Sequence, residues 1–226
     1  MNEMLLVEDL MMLLLDDETG VPAAAGTLHY SLGGAVLVEL ALRGSVDSDG
    51  STALNGPKIS AVEGAQPEDP LLRSAYDKIA EKPRRVQTLL LEIGGGLREP
   101  VLDRLLERGV IRVEKKKVLG VFPTTRMPAE DTGHEAELRR KLRAALEDGE
   151  TPDSRTGALI ALLSSSGALP ALRPPLAWSG EVAARAKEFE EGNWGAEAVN
   201  AAVLRTAAAI AAATAVVTVT TITTTS

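Results

Sequence analysis

The 226-residue chain has no cysteine, which excludes disulfides and thiolate metal sites, and its two histidines, His29 and His134, lie far apart in sequence. Hydrophobic residues make up 45% of it but aromatics only 3%, so Leu, Val, Ile and Ala must fill the core, a composition suited to packed helices. The net charge of −8 disfavours a general polyanion binder, although no Lys or Arg precedes Arg43 and residues 104–143 hold eleven basic and six acidic residues.

These bounds predict a single, mainly α domain over residues 1–226, with 206–226 as an Ala/Thr-rich tail. In chain order, residues 3–17 are apolar on nearly all sides and Gly20 offers a stop, so a buried first helix is expected. Its Glu3, Glu8 and Asp9 replace the cationic region of a secretory signal, which points to the cytoplasm.

The next segment, SLGGAVLVELALRG, places Val36, Leu37, Leu40 and Ala41 at helical spacing, with Ser31 as expected N-cap and Gly44 as left-handed C-cap. Residues 45–54 read as a hairpin turning at Asp49-Gly50, followed by a Gly56-Pro57 loop. Helical spacing resumes from Pro70 to Lys82. Pro83 is placed to start a further helix that the glycines at 94–96 end, and Pro100 lies near the start of VLDRLLERG, capped by Gly109.

In VIRVEKKKVLGVF, β-branched residues flank a charged tip, which predicts a hairpin with Lys115, Lys116 and Lys117 near its turn and strands running into Pro123. Its Val118, Leu119, Val121 and Phe122 beside the lysines suit an interface where apolar groups dip and cations meet anionic head groups; ordinary packing on the core is the competing reading. Charged helices are expected at 135–146 and 181–191, a buried helix at 158–163, and a proline-stiffened loop at PALRPPLAW. The uncharged stretch from Thr206 has the length of a bilayer span, but Ala and Thr give little insertion energy, so a buried helix with a frayed end is expected.

The acidic leucine-rich opening, then SLGGAVLVELALRG, then LREPVLDRLLERGVIRVEKKKVLGVFPTTRMP, and finally ALIALLSSSGAL occur in an order that resembles the Golgi phosphoprotein 3 family. The resemblance implies a non-enzymatic peripheral adaptor that binds phosphatidylinositol 4-phosphate through a Trp and three Arg residues and recognises cytoplasmic tails of membrane glycosyltransferases. It also implies a hairpin that serves membrane contact and self-association, and a location on the cytosolic face of a membrane, the Golgi in a eukaryote.

Position by position, the family's Trp falls on Ala24 and its three arginines on Gly33, Gly95 and Arg98, so Arg98 alone is retained. The chain thus reads as a divergent, bacterial (actinobacterial-type) member whose head-group binding is weak or altered. Arg98 has two readings: an anion contact beside three glycines whose N–H groups form a nest, or an exposed first-turn arginine. Arg43, next to the Gly44 cap, is explained by the helix dipole.

An alternative is a winged-helix DNA-binding regulator built from residues 83–122; against it, the second helix spends its face on Leu, with only Arg98, Arg104 and Arg108 facing outward, and the chain is acidic. An enzyme is disfavoured: no P-loop, serine elbow or dinucleotide fingerprint occurs, and no cofactor is expected.

Overall fold

The computed structural model describes residues 3–16, 20–23, 25–51, 56–118, 122–127, 130, 132–172, 175–192 and 208–214. The chain is mainly helical, with a three-stranded antiparallel sheet and a separate two-stranded hairpin among the described residues.

The first helix, α1 (Leu6–Leu14), is buried at every position, including Glu8 and Asp9, as its all-round apolar sequence predicts. The second, α2 (Leu28–Leu42), is the axis of the fold and packs against α1 and the later helices α3, α4, α5 and α7. It begins four residues before the expected start: Thr27, not Ser31, is the N-cap, and Ser31 is a buried residue within the helix. The missed start has a simple cause, since neither Thr27 nor any other side chain supplies the cap bond that marks a helix start.

The end of α2 follows the sequence. Gly44 takes φ of 69°, its N–H donates to the Ala41 carbonyl at 2.9 Å, and the Ser45 N–H donates to the Leu40 carbonyl at 2.8 Å, a Schellman closure.

The expected 45–54 hairpin forms with a different partner. Strand β1 (Val46–Ser48) pairs with β2 (Lys58–Ala61), so Gly56 and Pro57 lie within the connection. Asp49 sets this register: its carboxylate accepts from the N–H groups of Ser51 and Lys58, at 3.0 and 2.9 Å. Those two backbone bonds hold the Asp49 carboxyl below its ordinary range.

Asp69 caps α3 (Pro70–Glu81) by accepting from Leu71 and Leu72. Pro83 starts no helix, because Arg84 and Arg85 first pair with β2 as strand β3 (Arg84–Arg85), and α4 (Val86–Gly94) follows. Helix α5 (Arg98–Glu107) buries Val101, Leu102 and Leu105 as predicted, and Gly109 caps it with φ of 68°.

The hairpin is displaced along the chain. Strand β4 (Glu114–Val118) pairs with β5 (Phe122–Arg126) in a register placing Lys115 opposite Thr125, Lys117 opposite Pro123 and Val118 opposite Phe122. The three lysines therefore lie along a strand, and β5 runs through Pro123 instead of ending there. Leu119 and Val121 lie outside the described residues.

Helix α6 (Thr132–Leu146) is followed by α7 (Ser154–Ser165), which Asp153 caps through the Thr156 N–H at 2.7 Å. The proline-rich loop contains a short 3-10 turn, Leu169–Ala171, and α8 (Gly180–Glu190) packs on α7. Residues 208–214 form a helix, α9, whose Ile210, Ala211 and Thr214 are buried. It reaches α2 at Gly34, where a Cβ would stand 2.9 Å from the Thr214 hydroxyl. Within the described residues the expected buried terminal helix is thus present, and no helix is long and apolar enough to cross a membrane.

Candidate functional site

Helices α2 and α4 cross closely at two glycines. A Cβ on Gly33 would lie 2.6 Å from the Leu90 carbonyl oxygen, and one on Gly94 would lie 1.8 Å from the carbonyl oxygen of His29. Both obstacles are backbone atoms, so neither position accepts a side chain without separating the helices.

Gly33 therefore has a packing role at this crossing. The volume that its side chain would need is occupied by the backbone of α4. Gly95, where the resemblance puts a second arginine, is the C-cap of α4 and is exposed. Ala24, where the family's Trp falls, lies outside the described residues.

Arg98 opens α5 with its side chain 51% exposed, and its Nη1 donates to Glu99 Oε1 at 3.2 Å. The glycines before it do not build the expected nest. Gly94 is the last residue of α4, the Gly95 N–H donates to Leu91 and the Leu97 N–H to Gly94, at 3.1 and 3.2 Å. Helical backbone at Gly95 and Leu97 turns these groups into the chain instead of toward a common anion.

The other conspicuous arginines form a buried network that the sequence does not announce. Glu8, with no exposed surface, accepts from Arg104 Nε at 3.0 Å, from Arg108 Nε at 2.9 Å and from the Leu5 N–H at 2.6 Å. Arg104 also donates to Asp69 at 2.8 Å. The expectation that Arg104 and Arg108 face outward is thus corrected: α5 turns them toward α1 and the start of α3, where a buried carboxylate needs them.

Glu39 and Arg43, the charged residues of ELALRG, belong to a second such group on α1. Glu39 accepts from Arg43 Nε at 2.7 Å, Arg155 Nη1 at 3.0 Å and the Leu6 N–H at 2.6 Å. Arg43 is therefore bound to a buried carboxylate and is not explained by the helix dipole alone. Asp9 accepts from Arg155 Nη2 at 2.8 Å, and His134 Nε2 lies 2.8 Å from its other oxygen.

Burial pushes the Asp9 carboxyl up, and Arg155 and His134 only partly oppose the rise. Burial pushes Arg155 down, but Glu39 and Asp9 more than offset it, so its guanidinium stays charged. The network ties α1 to α2, α5, α6 and α7, which gives both sequence signatures, ELALRG and LLERG, a structural role. A clue was available: buried acids at positions 8 and 9 of an apolar helix require cationic partners.

The helix, break, helix and hairpin order expected of a winged helix does form in α4, α5, β4 and β5. Two of the three arginines expected to face outward from its second helix are nevertheless committed to Glu8. Among the described residues no group of histidines and carboxylates has the arrangement of a metal site.

The family model described as Golgi phosphoprotein 3 (GPP34) matches residues 6–206, from the start of α1 to just before α9. That family consists of non-enzymatic, Golgi-associated adaptors with lipid-binding roles. With most of its length matched, this chain belongs to the Golgi phosphoprotein 3 family.

Proposed function

We propose that the chain is a non-enzymatic peripheral membrane adaptor whose contact with anionic lipid head groups uses Arg98 and the lysine-bearing hairpin, with weakened or altered affinity for phosphatidylinositol 4-phosphate. Membership of the family over residues 6–206 is the observation that carries this reading. The α2–α4 crossing supports the altered head group, because it leaves no room for an arginine at position 33.

Each charge-assisted guanidinium contact removed from a phosphate site costs about 1.5–3 kcal/mol, so the absence of two arginines weakens such a site by orders of magnitude. Arg98 remains exposed, though shared with Glu99. Lys115, Lys116 and Lys117 follow one another in β4 and add favourable interaction of about 1 kcal/mol each at an anionic surface.

Work at the cytosolic face of a membrane, recognition of basic cytoplasmic tails by the acidic N-terminal half, and self-association through the hairpin are parts of the same proposal. Sedimentation with vesicles of graded anionic lipid content tests it.

A further inference from the structure

Strands β4 and β5 pack on each other, and neither makes an extensive contact with another element among the described residues. A two-stranded hairpin without a covering layer takes its direction from the two chain limbs at its base. On the entering limb, Val110 and Ile111 follow the α5 cap and are buried, and the Val110 N–H donates to the Leu105 carbonyl at 2.9 Å. Apolar burial fixes that side.

The returning limb is held differently. Met127, just past β5, rests partly buried on the core, and the Glu130 N–H donates to the Val110 carbonyl at 2.7 Å, which closes the base across both limbs. The chain then enters α6, whose buried Leu138, Leu142, Ala145 and Leu146 anchor it from the second turn onward.

The first turn, Thr132-Gly133-His134-Glu135, contributes no apolar anchor. Glu135 gives its carboxylate to Arg139 of the same helix, at 2.9 Å from Nε. His134 reaches out of the helix instead: its Nε2 lies 2.8 Å from Oδ1 of Asp9 in α1, and the other oxygen of that buried carboxylate accepts from Arg155 Nη2 at 2.8 Å. A carboxylate held from its far side by a guanidinium is a fixed point of attachment, and the imidazole N–H donates to it. Motion of an unanchored first turn would pass directly to Glu130, four residues back along the chain.

We infer that His134 is the positioning residue of the hairpin: by holding the first turn of α6 on Asp9 it fixes the base, and with it the angle at which β4 and β5 meet a membrane. The use of that angle rests on the membrane reading proposed above; the anchor itself does not.

Amide hydrogen exchange of the full chain, residue by residue, tests the anchor in wild type, His134→Ala and His134→Gln. In His134→Ala the Glu130 amide should exchange faster by about tenfold or more, while the β4–β5 ladder and Ile160 in α7 keep their protection, because the arm swings as a unit on an intact core. His134→Gln, whose carboxamide N–H can donate to Asp9, should restore Glu130 to within about threefold of wild type. With phosphatidylcholine vesicles containing phosphatidylserine, retention should fall about threefold or more in His134→Ala and recover in His134→Gln. Unchanged Glu130 exchange, equal acceleration at Ile160, or no rescue by Gln would overturn the anchor, and faster Glu130 exchange with undiminished vesicle retention would overturn the positioning role. Wild type that no anionic vesicle retains sinks the membrane reading alone, and Glu130 exchange then decides the anchor.

Discussion

Arg108 donates from Nε to Oε1 of Glu8 at 2.9 Å, joining residues one hundred positions apart in the chain. The same oxygen accepts from Arg104, so two guanidinium groups on successive turns of the α5 region meet one carboxylate in α1. This contact fixes the start of α1 against the end of α5.

Removing that carboxylate leaves two partly buried cations without their main partner. Glu8→Ala is expected to destabilise the protein by about 3–5 kcal/mol, the range for breaking a buried ion pair from one side. Arg98→Ala, at an exposed position with an exposed partner, should fall within about 0.5 kcal/mol of wild type. Urea unfolding of both variants checks the contrast.

The helix crossing makes a second contrast. Gly94→Ala places a methyl group against the His29 carbonyl and should cost about 1–3 kcal/mol or more, while Gly96→Ala, with open space around its Cβ, should be nearly neutral. Gly33→Arg, the residue type that the resemblance puts at this position, should unfold or loosen the protein and gain no lipid affinity. Thermal denaturation of the three variants, with vesicle binding of the last, decides this.

Two carboxylates give stability effects of opposite sign with pH. Burial raises the Asp153 carboxyl, but bonds from Thr156 and the nearby Lys141 outweigh it and leave the group below its ordinary value of 3.8. Its stabilisation is complete above that value and is lost as pH falls through the lower folded value. The cap contributes about 0.5–2 kcal/mol, so the difference between wild type and Asp153→Ala should be constant near neutrality and shrink in acid.

Asp9 behaves in the reverse sense. Its raised folded-state value means that the native state binds a proton first, so wild type should gain stability relative to Asp9→Asn as pH falls from above the folded value toward 3.8. Unfolding free energies of both proteins across this acidic range test the sign.

Helices with strong local signals were legible in the sequence: the helical spacing from Pro70 announced α3, and Gly44 and Gly109 marked the ends of α2 and α5. Boundaries without such signals shifted. No side chain caps α2, and Arg84 and Arg85 were drawn into a sheet by β2, a long-range pairing that local pattern does not encode. The same limit applied to the site. Lysine spacing suggested a turn at 115–117, whereas pairing with β5 fixed those residues in a strand. The roles of Arg104 and Arg108 depend on a carboxylate in another helix, and that of Arg43 on the burial of Glu39 one turn earlier.

Membrane binding is decided by sedimentation with phosphatidylcholine vesicles containing increasing phosphatidylserine or phosphatidylinositol 4-phosphate, run on wild type, Arg98→Glu and a Lys115→Glu/Lys116→Glu/Lys117→Glu variant. Retention should rise with anionic lipid of either kind, fall with salt, and drop in both variants, with at most a small preference for phosphatidylinositol 4-phosphate. Retention that ignores anionic lipid content, or that is unchanged by both sets of substitutions, would show that the chain does not use these residues to meet a membrane.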